Sequence, residues 1–393
     1  MAHDRLPALG DDFFDSEVLV DPYPLYERLR SAGEVVRLDS HDVLAVGRYE
    51  TARDVLRAPD DFTSGSGIGL NSVVNARSPR PITLTSEGDT HKLLKSIVMA
   101  PMMPRQMDDL ASRLAEIAND VVVELTEKKQ FEGVSELAVH LPVTVVSHLV
   151  GLPEEGRQNM LKWSAATFNL IGPLNDRARE SLDSLLEMSM YAASMSRDRL
   201  APGSWGSLVY GAVDDGRLPE ELAAGLFIDY IAPSLDTTIH AVSHMINLFG
   251  THPDQWMALK NDESLLENAV EEVLRYEAPV RGFTRVATHS TRIGDTEIAE
   301  GERVWVLNGS ANRDERRYDR AHEFDITRSA AGHLSFGYGT HLCAGIHLAR
   351  LEMRVLLRAM REMFRTIEVG AKSVSENNIL RGWATLDVSV SSN

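Results

Sequence analysis

Apolar residues recur at intervals of three and four over most of this 393-residue chain, and this helical periodicity limits the possible folds more than any other feature. The alternating or β-branched patterns typical of strands are short, with turn residues at Gly294 and Gly301. Helices are predicted at 23–31, 105–125, 137–150, 177–197, 219–250, 264–276 and 344–365, and strands at 35–38, 43–46, 291–298 and 303–307. The sequence therefore predicts a mainly α fold with a small β subdomain.

The composition favours one large folded unit. Hydrophobic residues make up 43% of the chain and charged residues 25%, a balance that supports a large buried core and excludes a disordered tail protein or a fibrous repeat. The sequence contains no Gly/Ser-rich or Pro-rich linker and no internal repeat that would divide it. We therefore expect residues 1–393 to form a single domain.

The charge balance disfavours two classes of partner. Forty Lys and Arg residues against 58 Asp and Glu give a net charge of −18, which repels nucleic-acid phosphates and anionic lipids. The N-terminal residues lack the apolar stretch of a signal peptide, and the most apolar segment, 137–152, is interrupted by polar residues and Pro142. We expect a cytoplasmic protein that binds neither nucleic acid nor a membrane.

Two segments without sustained periodicity are candidate ligand-binding loops. Residues 62–89 are rich in Ser, Gly, Pro and Asn, and residues 167–176 present apolar side chains around a Gly-Pro pair. Loops of such length within a compact domain are often functional. Ordinary surface connections are an equally good interpretation of each loop taken alone.

The chain has one cysteine, Cys343, in a glycine-flanked segment. A single cysteine excludes an internal disulfide and any multi-cysteine metal site built from this chain, and it is typical of a reducing compartment. Gly337 and Gly339 permit a tight loop, after which Cys343 lies at the start of a predicted helix. Backbone amides there favour a thiolate, and Gly345 lets a flat ligand approach the backbone. A lone cysteine is otherwise more often a small buried hydrophobic residue.

The whole segment resembles a known ligand loop. Phe-Gly-x-Gly-x-His-x-Cys-x-Gly, from Phe336 to Gly345 and continued by Leu-Ala-x-x-Glu, is similar at every fixed position to the haem-ligand loop of the cytochrome P450 family. The resemblance implies haem b (iron protoporphyrin IX) between the long central helix and the helix after the loop. It makes Cys343 the iron ligand, with Phe336, Gly337 and Gly345 beside the haem. A cysteine hydrolase using His341 or His347 is an alternative, but no orienting third group or oxyanion site is evident.

A Glu-x-x-Arg pair precedes this loop. Glu272 and Arg275 resemble the family pair that ties a helix to the loop beneath the haem. The same spacing occurs at six other places, where a surface ion pair is the natural interpretation. The distance of Glu272 from Cys343 distinguishes this copy.

Haem propionates need cationic or hydrogen-bonding partners when they are partly buried. By resemblance these partners are His91, Lys95, Arg285 and His341. The family usually has arginine where this chain has Lys95, which keeps the charge but loses the bidentate geometry. A solvated helix lysine is the alternative for Lys95.

The segment from Pro233 to Thr238 resembles the oxygen-activating part of the family's central helix. Asp236 and Thr237 correspond to the acid and alcohol that position water and relay protons to bound dioxygen. For an isolated Asp-Thr pair in a helix, the alternative is a solvated face or a hydrogen bond from the threonine hydroxyl to the carbonyl four residues earlier. Pro233 and Ser234 depart from the family's small residues. Proline lacks an amide hydrogen, so we expect it to kink the helix and free the carbonyl of Asp229.

Electrons must come from a separate protein, because the chain has no motif for a flavin or iron–sulfur domain. The resemblance implies a ferredoxin or flavodoxin with its NAD(P)H reductase. Arg350, Arg354 and Arg358 recur every four residues after Cys343 and are predicted to attract such an acidic partner. A solvated helix face is the alternative.

The resemblance defines the reaction, oxygen insertion from dioxygen, better than the substrate. Several segments look similar to bacterial members that hold para-substituted benzoates. Predicted substrate contacts are Phe168, Ile171, Val280 and Phe283 around a ring and Ser72, Asn75 or Arg77 at a carboxylate. This predicts hydroxylation or oxidative O-demethylation of a small aromatic acid or aryl methyl ether. Three alternatives remain open. The substrate could be a terpenoid or a natural product, the protein could be a haem-based ligand sensor without turnover, and the apolar residues could be ordinary core packing.

Overall fold

The computed structural model describes residues 6–77 and 81–392, and helices dominate it. Short 3₁₀ turns precede or follow several helices, for example Thr83–Thr85 before α5 and Gly339–His341 in the Cys343 segment. The α-helices are α1 Ser16–Val20, α2 Tyr23–Ala32, α3 Tyr49–Arg57, α4 Ser72–Arg77, α5 Gly88–Met99, α6 Pro104–Lys128, α7 Ser147–Val150, α8 Glu154–Ile171, α9 Asp176–Glu180, α10 Leu182–Ala193, α11 Trp205–Asp214, α12 Ala223–Ile231, α13 Asp236–Thr251, α14 Pro253–Asn261, α15 Leu266–Tyr276, α16 Asn308–Ala311 and α17 Ile346–Met363.

The strands form a minor part of the fold, as predicted. One sheet has the order β1-β2-β3-β9-β6-β4, a second the order β10-β11-β5, and β7 and β8 form a hairpin. The strands are β1 Ala8–Leu9, β2 Val36–Leu38, β3 Val43–Val46, β4 Phe62–Thr63, β5 Gln130–Glu132, β6 Phe283–Ala287, β7 Thr291–Ile293, β8 Thr296–Ile298, β9 Arg303–Val306, β10 Phe364–Val374 and β11 Trp383–Ser392. The mainly α fold with a small β part is confirmed.

The long central helix is divided where the sequence predicts a kink. The predicted helix 219–250 is present as α12 and α13, with a non-helical segment from Ala232 to Leu235 between them. Pro233 has no amide hydrogen to donate to the carbonyl of Asp229. The hydroxyl of Ser234 donates to the carbonyl of Tyr230, which offers the backbone a local alternative to the helical bond. The interruption is therefore a break between two helices and not a bend in one.

Other predictions of single helices were wrong in detail. The stretch 137–150 is interrupted by π-helical turns at Gly133–Ala138 and Pro142–Val146, and only α7 is regular there. The predicted helix 177–197 is divided into α9 and α10. The predicted helix 344–365 ends at Met363, because the chain enters β10 at Phe364. Pairing with a distant strand, β11, stabilises that extended conformation.

The candidate ligand loops contain some regular structure. Residues 62–89 include β4, the short helix α4 and a 3₁₀ turn. In the second loop, α8 continues to Ile171, and Asn175 caps α9 by accepting a hydrogen bond from the amide of Ala178.

Four clusters of buried apolar side chains stabilise the described part of the chain, the smallest of them formed by Val74, Leu170 and Ala178. The largest lies among α6, α8, α12, α13, α15 and α17. A second lies between α3 and the first sheet. The third, here called the aromatic cluster, includes Phe13, Tyr26, Phe168, Trp305 and Leu380. It lies beside the sheet at the end of α8.

One helical stretch, Gly133–Val150, is long and apolar enough by length and composition to cross a membrane. Half of it is buried inside the protein, and buried core helices pass the same test. It overlaps 137–152, which is the most apolar segment of the sequence and is interrupted by Pro142.

Candidate active site around Cys343

The loop before α17 presents Cys343 at a helix start, as predicted. The amide of Cys343 donates to the carbonyl of Phe336 at 2.9 Å, which closes the loop. Gly337 and Gly339 have φ values of 71° and 70°, a left-handed conformation that favours glycine. A Cβ on Gly339 would also lie 2.8 Å from the carbonyl oxygen of Leu56.

Opposing effects act on the Cys343 thiol. The side chain is accessible to solvent, yet enough protein surrounds it for desolvation to raise the pKa of the free thiol. The amide of Gly345 and the charges of Lys95 and Arg350 lower that pKa but do not outweigh desolvation. The backbone amide thus lowers the pKa as predicted, but in the free thiol desolvation has the larger effect. A coordinating metal ion deprotonates a thiol outright.

Cationic side chains gather beside this loop. The rings of His91 and His341 lie 4.4 Å apart between centroids. The ammonium of Lys95 donates to the carbonyls of Thr340 and Leu342 at 2.6 and 2.9 Å, and its charge acts on Cys343. Lys95 thus belongs to the site and is not a solvated helix lysine.

Two basic members of this cluster, His91 and Arg285, are buried. Nε2 of His91 has no hydrogen-bond partner among residues 6–77 and 81–392. Arg285, on β6, is 4% exposed and donates to the carbonyl of Thr284 at 2.9 Å, and burial lowers its pKa to about 10. Burial lowers the pKa of His91 to about 4, so its ring is neutral at neutral pH, whereas Arg285 is a buried cation on which the charge of Glu87 acts. A sulfur donor beside a buried guanidinium and an unpartnered imidazole nitrogen fits a haem with its two propionates.

Sequence reasoning missed Glu87 in this cluster. Its carboxylate accepts hydrogen bonds from the hydroxyl of Thr63 and the amide of Ser64, both at 2.8 Å, and lies 3.1 Å from Nε2 of His341. Its position four residues before His91, one helical turn away, was the available signal.

The predicted Glu-x-x-Arg pair is completely buried. Arg275 donates to both carboxylate oxygens of Glu272, at 2.7 and 2.8 Å. The guanidinium also donates to the carbonyls of Asn312 and Ala321, both at 2.9 Å. Asn312 in turn donates to the hydroxyl of Ser335, immediately before the Cys343 loop. The pair therefore joins α15 to the segment that leads into the loop.

Asp236 and Thr237 begin α13 directly after the break. Asp236 is 8% exposed, and burial raises the pKa of its carboxyl group to about 7, with a smaller lowering effect from Ser164. Thr237 is half-buried, and its hydroxyl donates to the carbonyl of Pro233 at 3.0 Å, which is the bond to the carbonyl four residues earlier named above as the alternative. A carboxyl group that titrates near neutral pH is suited to proton transfer.

Comparisons with known proteins agree with this geometry. The Cytochrome P450 family model matches residues 255–384. Cytochrome p450 CYP199A2 of Rhodopseudomonas palustris is 35% identical over 98% of this chain and 94% of its own length. The chain belongs to the cytochrome P450 family. Cytochrome P450 107B1 of Saccharopolyspora erythraea is 31% identical over 91% of both chains. The solved structure of cytochrome P450 CYP109Q5 from Chondromyces apiculatus superposes with a TM-score of 0.83 at 29% identity, over 98% of this chain and 99% of that one.

Membership in this family gives the reaction class and the cofactor. This cytochrome P450 is a monooxygenase, and its cofactor is haem b. Bacterial members generally use dioxygen, an organic substrate and electrons from redox partners.

The apolar residues predicted to contact the substrate lie together in this cytochrome P450. Phe168 and Val280 are members of the aromatic cluster, and Ile171 and Phe283 pack against it. Val280 also forms a β-bridge with Leu380, which is in the same cluster. The structure thus brings four residues from distant parts of the chain to one place.

The polar residues predicted to contact a substrate carboxylate are poorly placed for that contact. Asn75 is buried, and its side-chain amide bonds both the amide and the carbonyl of Gly69 at 2.9 Å, so it stabilises its own loop. Ser72 is exposed at the start of α4. The side chain of Arg77 lies outside the described part of the chain.

The predicted docking arginines share one face of α17 but are paired. Arg350 makes two hydrogen bonds to Glu271, at 2.7 and 2.5 Å. Arg354 lies 2.9 Å from Glu267, and Arg358 lies 3.4 Å from Glu263. The arginines therefore do not form a free cationic face. They form an Arg–Glu ladder between α17 and the start of α15 that stays partly exposed to solvent, in keeping with the solvated-face alternative.

Glu352 on α17 is a second group whose environment the sequence did not reveal. It is fully buried, and neither carboxylate oxygen has a hydrogen-bond partner among the described residues. Burial raises its pKa to about 8. Glu352 therefore carries a proton at neutral pH.

Proposed function

We propose that this cytochrome P450 inserts one oxygen atom into a small aromatic acid or aryl methyl ether, by hydroxylation or oxidative O-demethylation. The observation that carries this proposal is the convergence of Phe168, Ile171, Val280 and Phe283 on one aromatic cluster. Two phenyl rings and two branched aliphatic side chains offer the flat apolar contacts that suit an aromatic ring.

We assign the haem site to this chain's own residues as follows. Cys343 would bind the iron, and the Glu272–Arg275 pair would support the segment that leads into its loop. His91, Lys95, Arg285 and His341 hold the propionates, and Phe336, Gly337 and Gly345 line the loop face, where a larger residue at 345 would approach the sulfur. When bound, a thiolate-ligated haem activates dioxygen and favours cleavage of its O–O bond.

Asp236 and Thr237 move protons in this proposal. The Asp236 carboxyl group holds a proton near neutral pH, because its burial disfavours the carboxylate. The Thr237 hydroxyl donates its single hydrogen to the carbonyl of Pro233, so it would relay a proton by accepting one at its oxygen from the Asp236 side while that hydrogen passes to the reacting oxygen. The break between α12 and α13 exposes the Pro233 carbonyl for this bond.

Electrons come from a separate ferredoxin or flavodoxin with its NAD(P)H reductase in this proposal. The arginines of α17 are paired with glutamates, but two of their side chains remain partly exposed, Arg358 to 52% and Arg354 to 34%. In this proposal the exposed parts of these guanidinium groups attract the acidic partner. We further propose that residues 1–393 form one domain that works in the cytoplasm and binds no nucleic acid or membrane.

Binding and turnover of defined compounds test this function. The full chain with haem is titrated with 4-methoxybenzoic acid, with its methyl ester and with camphor, and the spin-state shift is recorded. We expect a shift with the acid, and formation of 4-hydroxybenzoic acid when dioxygen and a reductase system are supplied. Phe283→Ala should weaken this binding, whereas the control Leu208→Ala, at an exposed position on α11, should not.

Other outcomes favour the alternatives. A shift with camphor but not with the aromatic acid would indicate a terpenoid or natural-product substrate. Binding without product in the presence of dioxygen and electrons would indicate a ligand sensor. Absence of the red-shifted Soret band in the reduced carbonyl complex would contradict the Cys343 assignment itself.

A further inference from the structure

Glu87 is an anion within a group of cations. One of its oxygens accepts hydrogen bonds from the hydroxyl and amide of Ser64, at 3.1 and 2.8 Å, and from the hydroxyl of Thr63 at 2.8 Å. The other lies 3.1 Å from Nε2 of His341. Burial alone would raise its pKa, but hydrogen bonds from His341, Thr63 and Ser64 outweigh that effect and lower it to about 2. Glu87 is therefore ionised at every physiological pH.

The negative charge of Glu87 also interacts with two of the side chains that we assign to the haem propionates. It acts electrostatically on Arg285 and on His91, whose side chains are 4% and 3% exposed. Interactions between charges are strong where water is excluded. A fixed negative charge therefore lies among the side chains that we assign to the haem propionates.

Glu87 also restricts the orientation of His341. Nε2 of His341 lies 3.0 Å from the hydroxyl of Ser64 and 3.1 Å from Glu87, so both contacts use the same ring nitrogen. Nδ1 is then the nitrogen left for another ligand. Since Thr63 ends β4 and Glu87 immediately precedes α5, the carboxylate connects both elements to the Cys343 loop.

We propose that Glu87 is a positioning residue for His341 and keeps the reduction potential of the haem low. This inference rests on the haem site proposed above. Reduction of ferric to ferrous haem adds one electron, which the redox partner supplies. A nearby fixed anion disfavours that added charge, and the charges around a haem are known to set its potential.

Replacing the carboxylate with its neutral isostere tests the proposal. The reduction potential of the full chain with haem is measured by spectroelectrochemistry for the wild type and Glu87→Gln. We expect the variant's potential to be more positive. Ser64→Ala is the matched control, because it removes the hydroxyl contacts to Glu87 and to His341 and leaves the charge of Glu87 in place. Its potential should stay close to that of the wild type.

The outcomes separate this inference from the proposed function. A wild type without the haem–thiolate carbonyl spectrum would contradict the haem site. A normal wild-type spectrum with an unchanged or more negative potential in Glu87→Gln would overturn the role of Glu87 alone. If the glutamine variant does not retain haem, Glu87→Ala removes the same charge and carries the same expectation. An equal positive shift in Ser64→Ala would show that a lost contact, not the charge, sets the potential.

Discussion

The hydroxyl of Thr237 donates a hydrogen bond to the carbonyl oxygen of Pro233, 3.0 Å away, across the break between α12 and α13. This bond spans four residues, so a side chain takes the place of a backbone donor at the first turn of α13. This bond fixes the position of the hydroxyl beside the break. The bond needs both the interrupted backbone at Pro233 and the hydroxyl of Thr237.

Removal of this hydroxyl should uncouple the reaction. In Thr237→Ala we expect electrons to be consumed at a rate within a few-fold of the wild type. Product per electron pair should fall roughly a hundredfold, the lower end of the range for a lost proton-transfer group. Peroxide and product are quantified together against NAD(P)H consumed. Thr237→Ser keeps the hydroxyl and should retain most of the coupling. Equal coupling in all three proteins would contradict the assigned role.

Asp236 should make coupling depend on pH. The pKa of its carboxyl group is raised to about 7, so the group is protonated below neutral pH and loses its proton as the pH rises. We expect product per electron pair to fall as pH increases through about 7. Asp236→Asn should give lower coupling without that transition. The measurement is coupling between pH 6 and 8.5, and a variant with the wild-type pH profile would exclude Asp236 as the titrating group.

The Glu272–Arg275 pair should be essential for stability. Arg275→Leu leaves the fully buried Glu272 carboxylate without its main counter-ion, a change that typically costs about 3–5 kcal/mol. Arg57→Leu is the control, because its ion pair with Asp54 has the same spacing on an exposed face and is worth about 0–1 kcal/mol. Denaturant unfolding and haem content are compared for both variants. Equal destabilisation of the two would be inconsistent with the buried network.

Glu352 should make the protein less stable as pH rises. The pKa of Glu352 is about 8 in the folded chain, which is above its value in the unfolded chain. Between these two pKa values the folded chain binds more protons than the unfolded chain, so the free energy of unfolding falls as the pH rises. The stabilisation by protonated Glu352 is complete only below the unfolded pKa. It is lost as the pH rises through about 8, with a slope approaching about 1.4 kcal/mol per pH unit. Glu352→Gln cannot ionise, so its stability relative to the wild type should increase between pH 5.5 and 8.

Thermal unfolding of the haem-loaded chain at several pH values measures this effect. Glu368→Gln, at an exposed position on β10, is the matched control and should track the wild type. A Glu352→Gln variant whose difference from the wild type is the same at every pH would show that Glu352 does not titrate in this range.

The local parts of the site could be predicted from the sequence. The glycine loop around Cys343, the Glu272–Arg275 spacing and the mainly α fold depend on residues close together in the chain, whose geometry follows from backbone preferences. The interruption at Pro233 was also predictable, because proline removes a helical hydrogen bond wherever it lies inside a helix.

Only the tertiary structure decided how distant charges pair. It placed Glu263, Glu267 and Glu271 against the arginines of α17, committed Asn75 to the backbone of Gly69, and joined Glu87 to His341 across 254 positions. It also placed Phe364 in strand β10 instead of the predicted helix. The partner strand β11 begins at Trp383, so the residues that stabilise this extended conformation lie outside the local sequence pattern. Burial and pairing of a side chain depend on segments that fold against it from elsewhere in the chain. The local sequence pattern determines which side chains each segment contains. Tertiary packing determines which of these side chains contact each other and which protonation state each one has.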